Sequence, residues 1–86
     1  MKDVYVKKYW EEEGILFYIL FENEGAARQI EVKLESRIFL DLDNPIQDDS
    51  MLYDQGLSDL ELTDNDIISE DEFDQVWNEK KIKRLF

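Results

Sequence analysis

The side chains in this chain that could do chemistry are almost all carboxylates. Asp and Glu number 22 against 10 Lys and Arg, and there is neither His nor Cys. Ser-His-Asp and Cys-His nucleophilic sites therefore cannot be assembled, nor can the usual zinc sites. The three glycines are isolated, so there is no glycine-rich phosphate loop. A pair of carboxylates can divide acid–base work in the manner of a glycosidase. With so many acids, close pairs arise by chance, and a chain this short rarely builds a sugar cleft, so an enzyme is not expected. Calcium is a sharper test. Asp41-x-Asp43 and Asp64-x-Asp66 each begin like an EF-hand loop, but Pro45 and Ile68 stand at the next ligand position and the turn glycine is missing. No metal or other cofactor is expected.

The distribution of the acids is more informative than any pair of them. Ile38 to Glu79 contains fourteen Asp or Glu and no Lys or Arg, whereas residues 1–37 carry a net charge of −2 and residues 80–86 carry +4. The whole-chain value of −12 exceeds the roughly 2–8 that keeps a small domain soluble. Like charges repel in a compact state. Nucleic acid and anionic membrane both require basic patches, so neither is an expected partner. Hydrophobic content of 43% and aromatic content of 13% indicate a folded chain despite the charge. At 86 residues it is one domain. The first ten residues, MKDVYVKKYW, lack the apolar core of a signal peptide, and the longest apolar run, Ile15 to Phe21, is too short to span a bilayer. With no cysteine as well, the expectation is a soluble cytoplasmic protein.

The elements that position the acids can be read from periodicity. Val4, Val6 and Trp10 alternate with Tyr5, Lys7 and Tyr9, predicting a strand; Trp10 is read as core, with an interface as the other reading. Glu11 to Gly14 is a turn with Gly14 available for positive φ. Ile15 to Phe21 is apolar on both faces and predicts a central strand. Asn23-Glu24-Gly25 is the next turn. Ile30, Val32 and Leu34 then alternate with Gln29, Glu31, Lys33 and Glu35, the pattern of a strand with one face to the core and one to water. Ile38, Leu40 and Leu42 continue it after a reversal at Glu35-Ser36-Arg37. Phe17, Tyr18, Phe21 and Phe39 are read as core. Short connections favour an antiparallel meander of about four strands over residues 1–43.

From 44 to 68 the sequence reads as a long acidic loop with apolar anchors at Ile46, Met51, Leu52, Tyr53, Leu57, Leu60 and Leu62, and with a short strand or helical turn near Leu57–Leu62. A helix is expected over 69–81. Ser69 and Glu72 form a capping box, Glu70 to Glu72 suit the positive end of the helix dipole, and Phe73, Val76 and Trp77 make one apolar stripe. A basic tail follows over 82–86. One helix covers one face of a sheet, so the opposite face should be polar or meet a partner. The expected class is α+β: a meander of about four strands, one C-terminal helix packed on one face, and a long acidic loop.

Concentrated carboxylates beside apolar anchors suit a basic protein partner, and such a surface raises association rates. The candidate contact residues are Asp41, Asp43, Asp48, Asp49, Asp54, Asp59, Glu61, Asp64 and Asp66, with Tyr53 and Leu57 as apolar anchors. Basic proteins that hold nucleic acid are natural targets, because an acidic cover mimics their substrate's charge.

Two motifs carry a resemblance. "RQIEV" (Arg28 to Val32) and "ISEDEFDQVW" (Ile68 to Trp77), with Trp10 and the acids of the first turn, resemble a family of small acidic bacterial immunity proteins. That family accompanies polymorphic toxins, including those of contact-dependent growth inhibition. The middle of the chain differs: Asp41-Leu42-Asp43-Asn44 and Gln55-Gly56-Leu57 replace the family's Asp-Gly turn and Gly-Thr stretch. The resemblance implies neutralisation of a cognate toxin, with a nuclease as the expected target. Two other functions fit the residues. One is a phage-type inhibitor that mimics nucleic acid against a host defence nuclease; the other is a regulatory or scaffold subunit whose acids only solubilise it.

Overall fold

The computed structural model describes residues 3–34, 36–47 and 50–79. It is an α+β structure, as the sequence predicts. Strands β1 (Asp3–Trp10), β2 (Ile15–Glu22), β3 (Gly25–Val32) and β4 (Arg37–Asp41) form the expected antiparallel meander. Two further short pairings lie in the region read as loop. Ile46–Gln47 (β5) and Ser50–Met51 (β6) pair with each other, and Ile67–Ile68 (β7) pairs with Tyr5 and Val6 of β1. The sheet order is therefore β4-β3-β2-β1-β7, which places β2, apolar from Ile15 to Phe21, at its centre. Helix α1 spans Glu70–Trp77. Among the described residues no helix is long and apolar enough to cross a membrane.

Local chemistry explains the turns. Between β1 and β2, Gly14 takes φ +65°, and its N–H bonds back to the Trp10 carbonyl at 2.9 Å. Between β2 and β3 the chain reverses in two residues, with Asn23 at φ 54° and Glu24 at φ 80°. Positive φ at both positions gives the twist that a two-residue hairpin needs. Asn tolerates it well, while Glu24 is a less usual occupant. A bulge follows at Leu20/Phe21, where β3 carries one residue more than β2. It turns Ala27 as well as Ile30 towards the helix side of the sheet.

The helix covers one face as expected. Phe73, fully buried, sits among Tyr18, Leu20, Ala27 and Ile30, with Val76 and Trp77 packed on the same cluster. Its ring lies 5.4 Å from that of Tyr5 and 6.2 Å from that of Trp77, which meets Phe39 edge-on. Ser69 caps the helix, its hydroxyl accepting from the Glu72 N–H at 3.1 Å. The reciprocal half of the box is not made: the Glu72 carboxylate lies 3.4 Å from Lys7 instead. The helix expected through Lys81 ends at Trp77, with Asn78 as its C-cap; Lys80, Lys81 and the basic tail lie outside the described residues.

The opposite face corrects the sequence reading. Residues 50–62 fold back over much of it, so most of its apolar surface is covered from within the chain. Leu57, Leu60, Leu62 and Tyr53 pack on Val6, Ile19 and Phe21, while Leu52 joins Ile38 and Leu40. The polar side of β3 is consequently interior, with Gln29 3% and Glu31 5% exposed. Alternation correctly separated the two faces of β3, but it carries no information on what lies above each. Leu34 and Leu42 extend the pattern beyond the strand ends and are exposed, as are Ile46 and Met51, expected anchors that instead lie on the outer side of the small hairpin. Trp10 is 49% exposed rather than core, because β1 runs past the covering loop.

Candidate partner-binding surface

The acidic segment is held to the sheet by specific bonds. Two short 3₁₀ turns, Leu57–Asp59 and Asp64–Asp66, shape it. Each is closed by its last acid: the Asp59 carboxylate accepts from the Gly56 N–H at 3.1 Å, and that of Asp66 from the Thr63 N–H at 2.9 Å. The β2–β3 turn anchors the first. The Glu24 carbonyl accepts from the Leu57 N–H at 2.9 Å, and its carboxylate from the Ser58 N–H at 3.3 Å. The tight turn that sets the positive φ of Glu24 thus also presents both of its groups to the segment. Lys8 anchors the second, reaching the Glu61 carbonyl at 3.0 Å and the Asp66 carboxylate at 3.5 Å.

These bonds sort the predicted contact residues. Asp41, Asp59 and Asp66 spend part of their hydrogen-bonding capacity on local backbone; Asp41 accepts from the N–H groups of Asp43 and Asn44. Among the described residues the carboxylates of Asp43, Asp54, Glu61 and Asp64 form no hydrogen bond or ion pair, and all four residues are exposed. Asp48 and Asp49 lie outside the described residues. Tyr53 and Leu57 are half-buried and face inward: the Tyr53 ring meets Phe21 edge-on at 5.9 Å. Most of their apolar surface is used by the fold itself.

The acids do not form one patch. Asp41 and Asp43 close the end of edge strand β4, whereas Asp66 leads directly into β7 at the other edge of the sheet. Four strand spacings separate these edges, about 19 Å. Asp54, Asp59 and Glu61 belong to the covering segment, Asp64 and Asp66 to the second 3₁₀ turn after it, and Glu70 and Asp71, both exposed, continue the run beyond β7. The negative surface thus runs from the loop onto the first turn of α1. Only three acids between 38 and 79 meet a cation among the described residues: Asp66 with Lys8, Glu72 with Lys7, and Glu79 with Arg37.

The charge also acts on neighbouring groups. The Thr63 N–H bond, reinforced by Lys8, holds the Asp66 carboxyl below its ordinary value despite partial desolvation. Desolvation raises the Tyr53 phenol, and the charges of Asp59 and Asp54 raise it further. Among the described residues no three carboxylates converge as a metal-binding group.

The covering segment leaves part of the sheet face open. Beside it lies a groove of about 660 Å³. It is lined from the sheet by Trp10, Ile15, Phe17 and Glu31 and from the covering segment by Tyr53 and Leu60. Sequence reasoning read Trp10 as core, with an interface as the other reading, and placed Glu31 on the water-facing side of its strand; neither was read as lining a groove. The available signal was register: Lys8, Phe17, Glu31 and Ile38 are successive cross-strand neighbours on one face. No family model, curated protein or solved structure matches the chain. The likeness to immunity proteins therefore rests on its two sequence motifs alone.

Proposed function

We propose that this protein is a non-catalytic inhibitor that binds a basic protein through the acidic face of residues 54–71. In this reading it is an immunity protein acting in the cytoplasm on a cognate toxin with a nuclease domain. The observation that carries the reading is that the unpaired carboxylates of Asp54, Glu61 and Asp64 stand on a segment packed to the sheet through Leu57, Leu60 and Leu62. A flexible acidic tail would lose conformational entropy on binding, whereas a packed segment has already lost it in folding. A fixed negative face also steers a basic partner during encounter and matches a site built for phosphates. The motifs around Arg28 and Ser69 supply the more specific expectation of immunity.

The test is co-expression with the product of the adjacent gene, scoring rescue of growth, followed by binding measurements at several salt concentrations. Replacing Asp54, Glu61 and Asp64 together with Lys should slow association, weaken binding at least tenfold and abolish rescue. Affinity and salt dependence unchanged by that triple reversal would eliminate the acidic face as the interface. They would leave the acids as solubilising groups on a scaffold subunit.

A further inference from the structure

The groove beside the acidic segment has the chemistry of a receptor for one cationic side chain. Three cross-strand rows make the sheet face beneath it: Val6-Ile19-Gln29-Leu40, Lys8-Phe17-Glu31-Ile38, and Trp10 with Ile15. The leucines of the segment pack on Val6 and Ile19 in the first row. Phe17 and Glu31 of the second row and Trp10 and Ile15 of the third line the open groove. Glu31 is 95% removed from solvent, being only 5% exposed, and is held by neutral donors alone: Ser50 Oγ at 2.9 Å on Oε1 and Gln29 Nε2 at 3.0 Å on Oε2. Among the described residues no Lys or Arg pairs with it. A carboxylate offers about four lone-pair directions, so each oxygen retains one.

We infer that the groove receives an arginine side chain of the basic protein partner, with Glu31 accepting both prongs of the guanidinium and Trp10 and Phe17 lying against its stem or plane. This deepens the proposed function and rests on it, since it names the partner group that would be inserted. Three features favour arginine. Two free lone-pair directions on adjacent oxygens match a planar two-pronged donor better than a single ammonium. The rings of Trp10 and Phe17, 6.0 Å apart and inclined at 40°, offer the aromatic surface on which a guanidinium stacks. The charges lining the groove admit a cation. Its lining holds three acids, Glu13, Glu31 and Asp54, against Lys8 and Lys33, and Lys8 is drawn away to Asp66 and the Glu61 carbonyl. A half-exposed Trp lining a groove is also a usual component of an interface hot spot.

The full chain titrated with N-acetyl-arginine amide and followed by ¹⁵N NMR tests this without the partner. The expected dissociation constant is on the order of 1 mM, the range open to a ligand this small. The Trp10 indole and the backbone amides of Glu31 and Ser50 should shift. N-acetyl-citrulline amide, uncharged but nearly isosteric, should bind at least tenfold more weakly, and the lysine analogue should fall between. E31Q keeps a hydrogen-bonding side chain in the Ser50–Gln29 network and should remove the preference for arginine over citrulline. W10A, at an exposed position, should weaken arginine binding in a folded protein. Shifts confined to the backbone amides of the acidic loop, shifts equal for all three ligands, or no shifts would each overturn the proposal and leave Glu31 as a staple for the Ser50 hairpin. A failure here with the triple loop reversal still abolishing partner binding removes the groove alone. An unchanged response to that reversal removes the acidic-face reading.

Discussion

Phe21→Ala measures whether the acidic segment is part of the fold. Phe21 is fully buried on the face away from α1, against Tyr53 and beneath the segment that carries Leu57, Leu60 and Leu62. Its burial therefore depends on that segment staying in place. A buried phenylalanine removes roughly 150–200 Å² from water, worth about 4–5 kcal/mol at about 25 cal/mol per Å². Alanine retains a small part of this, and a residual cavity adds to the loss, so about 3–5 kcal/mol is expected. The total stability of a domain this size is on the order of 4–13 kcal/mol. Urea unfolding followed by far-ultraviolet circular dichroism and by tryptophan fluorescence should thus show a midpoint lowered by ~2–4 M, or a protein partly unfolded in buffer. Phe73→Ala is the matched control, the same residue type at the same full burial but carried by the helix on the opposite face of the sheet. Similar losses from the two would mean that helix and acidic segment cover the sheet equally well. A loss below about 1 kcal/mol for Phe21→Ala beside a large one for Phe73→Ala would refute the packed-segment argument, and with it the idea that the charges are held in fixed positions.

Two further outcomes follow from local bonds. Ser69→Ala removes the hydroxyl that accepts from the Glu72 N–H. It should cost about 1 kcal/mol, seen as a fall of roughly 4–8 °C in thermal midpoint, because the helix has only eight residues. The pH dependence has two arms. Asp66 is held below its ordinary value by the Thr63 N–H and Lys8, so its contribution is fully present above the ordinary Asp range and is lost as pH falls through its folded value. Asp66→Asn, which can still accept from Thr63, should flatten that acid arm in unfolding curves measured below about pH 4. Tyr53 and Tyr5 are raised, chiefly by desolvation, so the fold favours their neutral phenols. Stability should fall as pH rises above about 10, where the unfolded phenols ionise first. Tyr53→Phe should reduce that fall.

Much of the fold was legible because strand and helix periods are local properties. Val4 and Val6, the run Ile15 to Phe21, and the alternation from Ile30 gave the meander. Ser69 with Phe73, Val76 and Trp77 gave the helix and its buried side. Gly14 announced its own positive φ. The short strand β7 was not legible: two isoleucines have no period, and they pair only because β1 is already in place beside them. Trp10 was misassigned for a related reason. Its parity places it on the same face as the buried Val6, but burial depends on how far the covering segment reaches along β1.

The sequence by itself determined an acidic α+β domain, the faces of its strands and the leucines that tether its charged segment. These follow from charge count, from side-chain periods of about 2 and 3.6, and from capping chemistry. Tertiary structure decided that the second sheet face is covered from within, that Gln29 and Glu31 become interior, and that the acids divide between two edges of the sheet. It also decided that Trp10 and Glu31, twenty-one positions apart in the chain, line one groove. Such outcomes depend on which segment folds over which row of the sheet, a contact between distant residues that no local period encodes.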